Sequence, residues 1–181
     1  MVNSPQRREN SLKITLPSTS LVAAHLFSVF EMKSPGGCRI YHQIFFMEEV
    51  IRSSTLRLAK KNITAYLETH DARYVAEDAV YINTSSGERA IGRQAIAKML
   101  NYFYRIAFDA HPKITNRIVT EKKAMIEGFF IGKHIGDFWG VRPTGKIVSV
   151  PFCVSYSLSD GLIKEARIFF SGDTLLRQLQ S

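Results

Sequence analysis

Cysteine is scarce in this sequence, and its two thiols, Cys38 and Cys153, stand far apart. Such a pair supplies neither a disulfide framework nor a metal cluster, and a reducing, cytoplasmic setting is the simpler expectation. Long hydrophobic runs are also missing. The longest apolar stretches, such as Leu21 to Phe30, are interrupted by His25 and Ser28 and fall well short of the roughly 20 residues that a membrane span needs. No membrane partner is therefore expected. His70-Asp71 and His111 sit near helix ends, and no group of His, Cys, Asp and Glu has the spacing of a metal site, so no metal is expected. Acids are outnumbered, with 16 Asp and Glu against 24 Lys and Arg, a net charge of +8. Three of those charges belong to the first 46 residues, where Arg7, Arg8, Lys13, Lys33 and Arg39 face only Glu9 and Glu31. Further on the bases are mostly single and interleaved with acids. The pairs Lys60-Lys61 and Lys122-Lys123 are too small for a phosphate-tracking stripe, so no nucleic-acid partner is expected. What is present is an apolar fraction of 45% in 181 residues, enough for one domain with a buried core.

The chain changes character near Met47. Residues 1–46 are punctuated by Asn3-Ser4-Pro5, Pro17-Ser18-Thr19-Ser20 and Ser34-Pro35-Gly36-Gly37, and no helical or strand period is sustained between them. Arg7, Arg8 and Lys13 followed by Leu21 to Phe30 has the outline of a signal peptide, although Ser34-Pro35-Gly36 is a poor cleavage site. The alternatives are an organelle transit peptide, or a disordered or non-native leader with Met47 as the working start. The domain is counted from residue 47 to 181.

From Glu48 the pattern is regular. Leu56, Ala59, Ile63 and Leu67 recur at three- and four-residue steps, and the spacing predicts a helix over Glu48 to Thr69. Ala79 to Asn83 reads as a strand stopped by Ser85-Ser86-Gly87. A second helix is predicted from Gly92, with Ile96, Leu100, Phe103 and Ala107 on one face, ending before Pro112. Four long strands follow: Ile114 to Thr120, Ala124 to His134, Ile147 to Leu158 and Leu162 to Phe170, the last two joined by Asp160-Gly161. Pro151 removes a ladder donor and predicts an edge or a bulge. A short helix, Thr174 to Gln178, closes the chain. Helices followed by a meander of strands is an α+β order, with helices covering one face of a bent sheet.

Four motifs stand in this frame. Lys133 to Gly145, KHIGDFWGVRPTG, resembles the H-x-G-x-F-x-G-x-x-P-T-G signature of the SnoaL-like polyketide cyclases, also called ester cyclase-like proteins, of the nuclear transport factor 2-like superfamily. Gly92 to Leu100 is similar to that family's G-R-x-A-I helix start, Asp160-Gly161-Leu162-Ile163 to its D-G-x-I hairpin, and Leu175 to Leu179 to its closing L-L-x-Q-L. The resemblance implies a cone-shaped, curved antiparallel sheet packed on N-terminal helices, enclosing a pocket for a small hydrophobic ligand. It also implies a homodimer formed through the sheet. In the enzymatic members a pocket carboxylate moves protons during closure of a polyketide ester, without a cofactor.

At that carboxylate this chain departs from the family. The usual R-x-Y-F-D reads here Arg167-Ile168-Phe169-Phe170-Ser171, and a serine hydroxyl does not replace the acid. The catalytic candidates are His134, Asp173 and Asp137. His134 shares a strand face with Ile126 and Phe130, with room left by Gly128 and Gly132. Its other role would be to hold the following loop by a backbone hydrogen bond. Asp173 equally suits a helix N-cap, and Asp137 suits loop hydrogen bonds. Tyr81, Asn83, Tyr104, Phe130 and Trp139 are candidate ligand-pocket residues, or plain core. Arg167 and Ser171 share a parity, so both enter the pocket if the family's acid does. A pocket Arg would favour an anionic or carbonyl ligand. The function classes that follow are a cyclase or isomerase working by general acid/base proton transfer on a small hydrophobic carbonyl-containing molecule, a non-catalytic pocket protein, and a dimeric interaction module.

Overall fold

A long helix, α1 (Cys38–Thr69), opens the part of the chain that the computed structural model describes, residues 38–181. The signal-like, transit-like and disordered readings of residues 1–37 lie outside that range. Residues His42–Ser181 form one compact unit. The helix starts at Cys38, upstream of the predicted Glu48, because nothing between Cys38 and Met47 breaks a helix even though the apolar period fades there. It passes through Met47 unbroken, so the boundary placed there falls inside α1. Side chains from Gln43 to Ser54 are exposed, and full burial begins with Ala59, Ile63, Tyr66 and Leu67, the predicted stripe with Tyr66 added. His70 ends the helix at φ 52°, and its amide donates to the Tyr66 carbonyl at 2.7 Å. A left-handed residue after a helix satisfies one of the carbonyls that the last turn leaves unpaired.

Six strands form one sheet in the spatial order β2-β1-β6-β5-β4-β3. They are β1 (Val75–Asn83), β2 (Arg89–Ile91), β3 (Phe108–Val119), β4 (Lys123–His134), β5 (Ile147–Ser159) and β6 (Leu162–Phe170). Neighbours are antiparallel except β1 and β6, which run parallel, so the expected curved sheet is mixed. The long connection from β1 to β6 permits the parallel pair that a hairpin would not. Asp160 and Gly161 turn the last hairpin with φ 50° and 75°, the doubly left-handed geometry that the predicted Asp-Gly pair favours. On β4, Ala124, Ile126, Phe130 and His134 are buried and the alternate residues face out.

Gly128 and Gly132 on that buried face let β3 close over β4. A Cβ at Gly132 would lie 2.5 Å from the Ala110 Cβ, and one at Gly128 would drive into the Lys113 carbonyl oxygen. The room foreseen beside His134 is thus taken by the neighbouring strand. Because the obstacle at 128 is backbone, Gly128→Ala is expected to destabilise by about 1–3 kcal/mol in a urea melt.

The helix from Gly92 is shorter than predicted. It runs as α2 (Arg93–Asn101), becomes one wide π-helical turn over Tyr102–Ala107, and gives way to β3 before Pro112. Proline fits inside β3 because that strand is the sheet's edge. Pro151 stands where β5 has passed the last β6 partner, at Phe152↔Phe170, so the predicted edge is local. Just beyond it the chain-terminal helix, α3 (Gly172–Gln180), replaces the missing strand. The Gln178 amide accepts from the Ser149 N–H at 2.8 Å and donates to the Ser149 carbonyl at 2.9 Å. The core has two parts. One lies under α1 and includes Tyr66, Tyr81 and Tyr156; the other gathers Phe108, Phe130 and Phe138 with Leu175 and Leu179 of α3. Among the described residues no helix is long and apolar enough to cross a membrane.

Candidate functional site

Between these two core clusters lies a cavity of about 640 Å³. The end of α1 contributes Tyr66, Leu67 and His70, and β1 contributes Tyr81 and Asn83. The π-helical turn brings Tyr102, Phe103 and Tyr104 to the same wall. Three successive residues of an ordinary helix point about 100° apart, and the wider turn relaxes that divergence. The sheet supplies Phe130, Phe152, Val154, Tyr156 and Phe170, and the loop after β4 supplies Phe138 and Trp139. Trp139, 49% exposed, packs at a tilt on Phe138 with ring centroids 4.7 Å apart. Its indole lies against Gly172, where a Cβ would sit 3.0 Å from the ring. The lining is aromatic on nearly every side and suits a flat, largely apolar ligand.

Polar groups are few and mostly phenolic. The Tyr81 hydroxyl donates to the Tyr66 hydroxyl at 3.0 Å. With its acceptor role filled by Tyr81, the Tyr66 oxygen still has its own proton to give. Burial raises the Tyr66, Tyr81 and Tyr156 phenols well above their ordinary range, and raises Tyr104 as well. All four therefore stay protonated donors at neutral pH. His70 stacks flat on Tyr104, ring centroids 4.0 Å apart, and meets Tyr66 edge-on at 5.6 Å. Burial first, and the Arg105 charge second, lower its pKa to about 4. Among the described residues no three His, Cys, Asp or Glu side chains gather to hold a metal ion.

The structure brings Tyr81, Asn83, Tyr104, Phe130 and Trp139 together on this cavity. Asn83 also has a local task, since its side-chain oxygen accepts from the Ser85 and Ser86 amides in the β1–β2 turn. The three catalytic candidates lie elsewhere. His134 is fully buried beside Phe108, and its Nδ1 accepts from the Thr144 amide at 3.2 Å, tying β4 to the end of the motif loop. That bond places the ring proton on Nε2, which has no partner. Asp137 is exposed; its backbone carbonyl, not its carboxylate, accepts from the Tyr102 hydroxyl at 2.6 Å. Asp173 is exposed in the first turn of α3, where a negative charge suits the helix dipole, and the N-cap is Ser171.

Arg167 and Ser171 also stay out of the cavity. Arg167 pairs with Ser155, between the inward-facing Val154 and Tyr156 of β5, so Ala166, Ile168 and Phe170 face the helices while Glu165, Arg167 and Phe169 face outward. The Arg167 side chain is 58% exposed and pairs with Glu165 at 2.8 Å. Ser171 bonds the Thr174 hydroxyl at 2.8 Å and borders a groove on the outer sheet face. Sequence reasoning missed Tyr66, His70 and Tyr156. The first two were discoverable, because the i and i+4 positions of a helix share a face, here the face that carries Ile63.

The fold is α+β with a curved, unclosed mixed sheet, and it resembles a solved structure described as ketosteroid isomerase-like in fold. The model of the SnoaL-like polyketide cyclase family matches residues 64–179, more than half of the chain, and the protein belongs to that family. Among solved structures it is similar to a Jannaschia sp. CCS1 protein described as a SnoaL-like polyketide cyclase, at 17% identity and TM-score 0.64 over 72% of this chain and 96% of that one. A phenazine biosynthesis-related protein from Pseudomonas aeruginosa aligns at 20% identity and TM-score 0.59, over 71% and 89% of the two chains. A Catenulispora acidiphila protein of ketosteroid isomerase-like fold, solved with trimethylamine, aligns at 18% identity and TM-score 0.51, over 60% and 78%. At such identities these likenesses carry the fold alone. No curated protein matches the chain.

Proposed function

We propose that the protein is a pocket enzyme of cyclase or isomerase type, acting by proton transfer on a small, flat, hydrophobic molecule that contains a carbonyl group. The observation that carries this reading is the Tyr81–Tyr66 hydroxyl pair set into an aromatic cavity of about 640 Å³. Tyr81 donates to Tyr66, which leaves the Tyr66 proton for a ligand carbonyl oxygen. When a proton leaves the neighbouring carbon, the negative charge collects on that oxygen, and a fixed donor in a dry cavity stabilises it more than water would. The chemistry needs no cofactor, since the proton leaves one atom of the ligand and returns to another.

Removing one such donor costs about 10²–10³ in rate. Tyr66→Phe is therefore expected to slow turnover by about 100-fold with KM nearly unchanged. The check is α-proton exchange of a bicyclic ketone such as 2-tetralone in D₂O, followed by NMR. Binding is followed separately through Trp139, the sole tryptophan, which lines the cavity. A ketone that neither changes Trp139 fluorescence nor exchanges faster than in buffer would sink the reading.

A dimeric ligand-binding or interaction module without turnover is the second reading. It is supported by the outer sheet face, where Phe129 and Phe169 are 39% and 50% exposed around a groove that Pro151 and Cys153 also line. A second copy of the chain, meeting the same apolar face with its own, would bury both. Sedimentation at several concentrations tests this, with Phe169→Glu expected to give a monomer.

A further inference from the structure

We propose that His70 is the proton-accepting group of the cavity, removing a proton from the carbon next to the ligand's carbonyl. This rests on the carbonyl-binding reading above and adds the base that reading lacks.

Geometry singles out His70. Its backbone is held at φ 52° at the end of α1, and its ring is clamped between the face of Tyr104 and the edge of Tyr66. Neither ring nitrogen has a hydrogen-bond partner among the described residues, whereas the imidazole of His134 is committed to Thr144. The other ionisable groups on the lining are unsuited to accept a proton. Glu88 is exposed at the rim and hydrogen-bonded to Ser86, Arg89 is a cation, and the tyrosines are buried donors. The ionisable and charged groups around the ring are Tyr66 from α1 and Tyr104 and Arg105 from the π-helical turn. Asp71, the next residue, is occupied by the Arg73 amide and guanidinium. Partly buried beside Arg105, the imidazole is neutral at pH 7 and about as basic as a carboxylate, a strength sufficient for enolisation when the oxygen is well stabilised.

The step balances within the site. A ring-nitrogen lone pair takes the α-proton, the C–H electron pair becomes the C=C bond of an enolate, and the carbonyl π electrons move to the oxygen beside Tyr66. The imidazolium then returns the proton to carbon, or to another atom of the ligand, and is neutral again.

His70→Gly tests the assignment without straining the helix end, because glycine adopts a positive φ freely. Wild type, His70→Gly, and His70→Gly with added imidazole are compared for α-deuteration of 2-tetralone in D₂O and for 2-tetralone binding by Trp139 fluorescence. The expected result is retained binding, a loss of exchange of about 100-fold or more, and partial recovery with imidazole. Retained binding with undiminished exchange in His70→Gly overturns the proposal, as does wild-type protein that binds the ketone without exchanging it. Absence of saturable binding in wild type instead refutes the carbonyl-pocket reading and removes the basis of this one.

Discussion

Phe130→Ala is expected to lower the unfolding free energy by about 3–5 kcal/mol, toward the smaller figure because one face of the ring already borders the cavity. Phe130 is 1% exposed and is ringed by Phe103, Phe108, Tyr104 and Phe170, at centroid distances of 4.6, 5.3, 5.6 and 5.9 Å. Deletion removes the partner that all four share, and the neighbours sit on three elements, the π-helical turn, β3 and β6, so the gap closes only in part. For a domain of this size the midpoint of a thermal melt should fall by roughly 10 °C or more. Phe129, one residue away but on the outer face, is the natural comparison. Its replacement by alanine in the monomer should cost about 1 kcal/mol or less, since surface positions outside a packed site change little. Equal losses at the two positions would mean that the faces of β4 are assigned wrongly.

Lowering the pH from 7 to 4 is expected to remove on the order of 2–3 kcal/mol of stability through His70 alone. The folded imidazole titrates at about 4 because burial, and then the Arg105 charge, disfavour its cation. In the unfolded chain it titrates near 6.5. Between those values the unfolded state binds more protons, so stability falls as pH falls. The contribution is complete above about pH 6.5 and gone once the folded pKa has been passed. Asp71, Asp78 and Glu121 also have lowered pKa values. Their largest causes are the Arg73 amide, Lys164 and Arg52 respectively. Their contributions begin to fall in the ordinary carboxylate range, below that of histidine, and are lost as pH drops through the lowered folded values. Urea melts of wild type and His70→Asn at pH 7, 5.5 and 4.5 separate the two effects, since asparagine tolerates the left-handed backbone but carries no titrating group. The variant should show a flat profile over this range. A parallel decline in both proteins would place the acid sensitivity elsewhere.

Much of the fold was readable residue by residue. The stripe through Ala59, Ile63 and Leu67, the alternation in β4 and β5, and Asp160-Gly161 each follow from a local rule that tertiary structure did not override. The misreadings have local causes too. Gln43 to Met47 is helical although its apolar residues are exposed, because helix formation needs only the absence of breakers once the helix is seeded downstream. The helix does end before Pro112, but β3 begins at Phe108 rather than at the predicted Ile114 and so takes in Pro112 as an edge-strand residue. Its ring limits φ in a way that suits a strand, and the edge asks for no donor.

The candidate site was only half legible. Tyr81, Asn83, Tyr104, Phe130 and Trp139 could be proposed because pocket walls and cores use the same aromatic residues, and the structure brings all five to one cavity. The charged candidates follow from motif and parity, and parity relates residues of one strand without saying which face is inner. Arg167 and Ser171 do share a face, but it is the outer one, where Arg167 meets Glu165, and the motif histidine spends its Nδ1 on Thr144.

By itself the sequence determined the class of the chain. Periodicity and turn chemistry are short-range, and they define an α+β domain with a curved sheet and the motifs of its family wherever the segments finally pack. Only the tertiary structure decided which polar groups meet. Tyr66, His70, Tyr81, Tyr104 and Tyr156 come from four separate segments, and their encounter depends on a π-helical turn and a left-handed residue. Each of these is set by packing between elements, which no local pattern encodes.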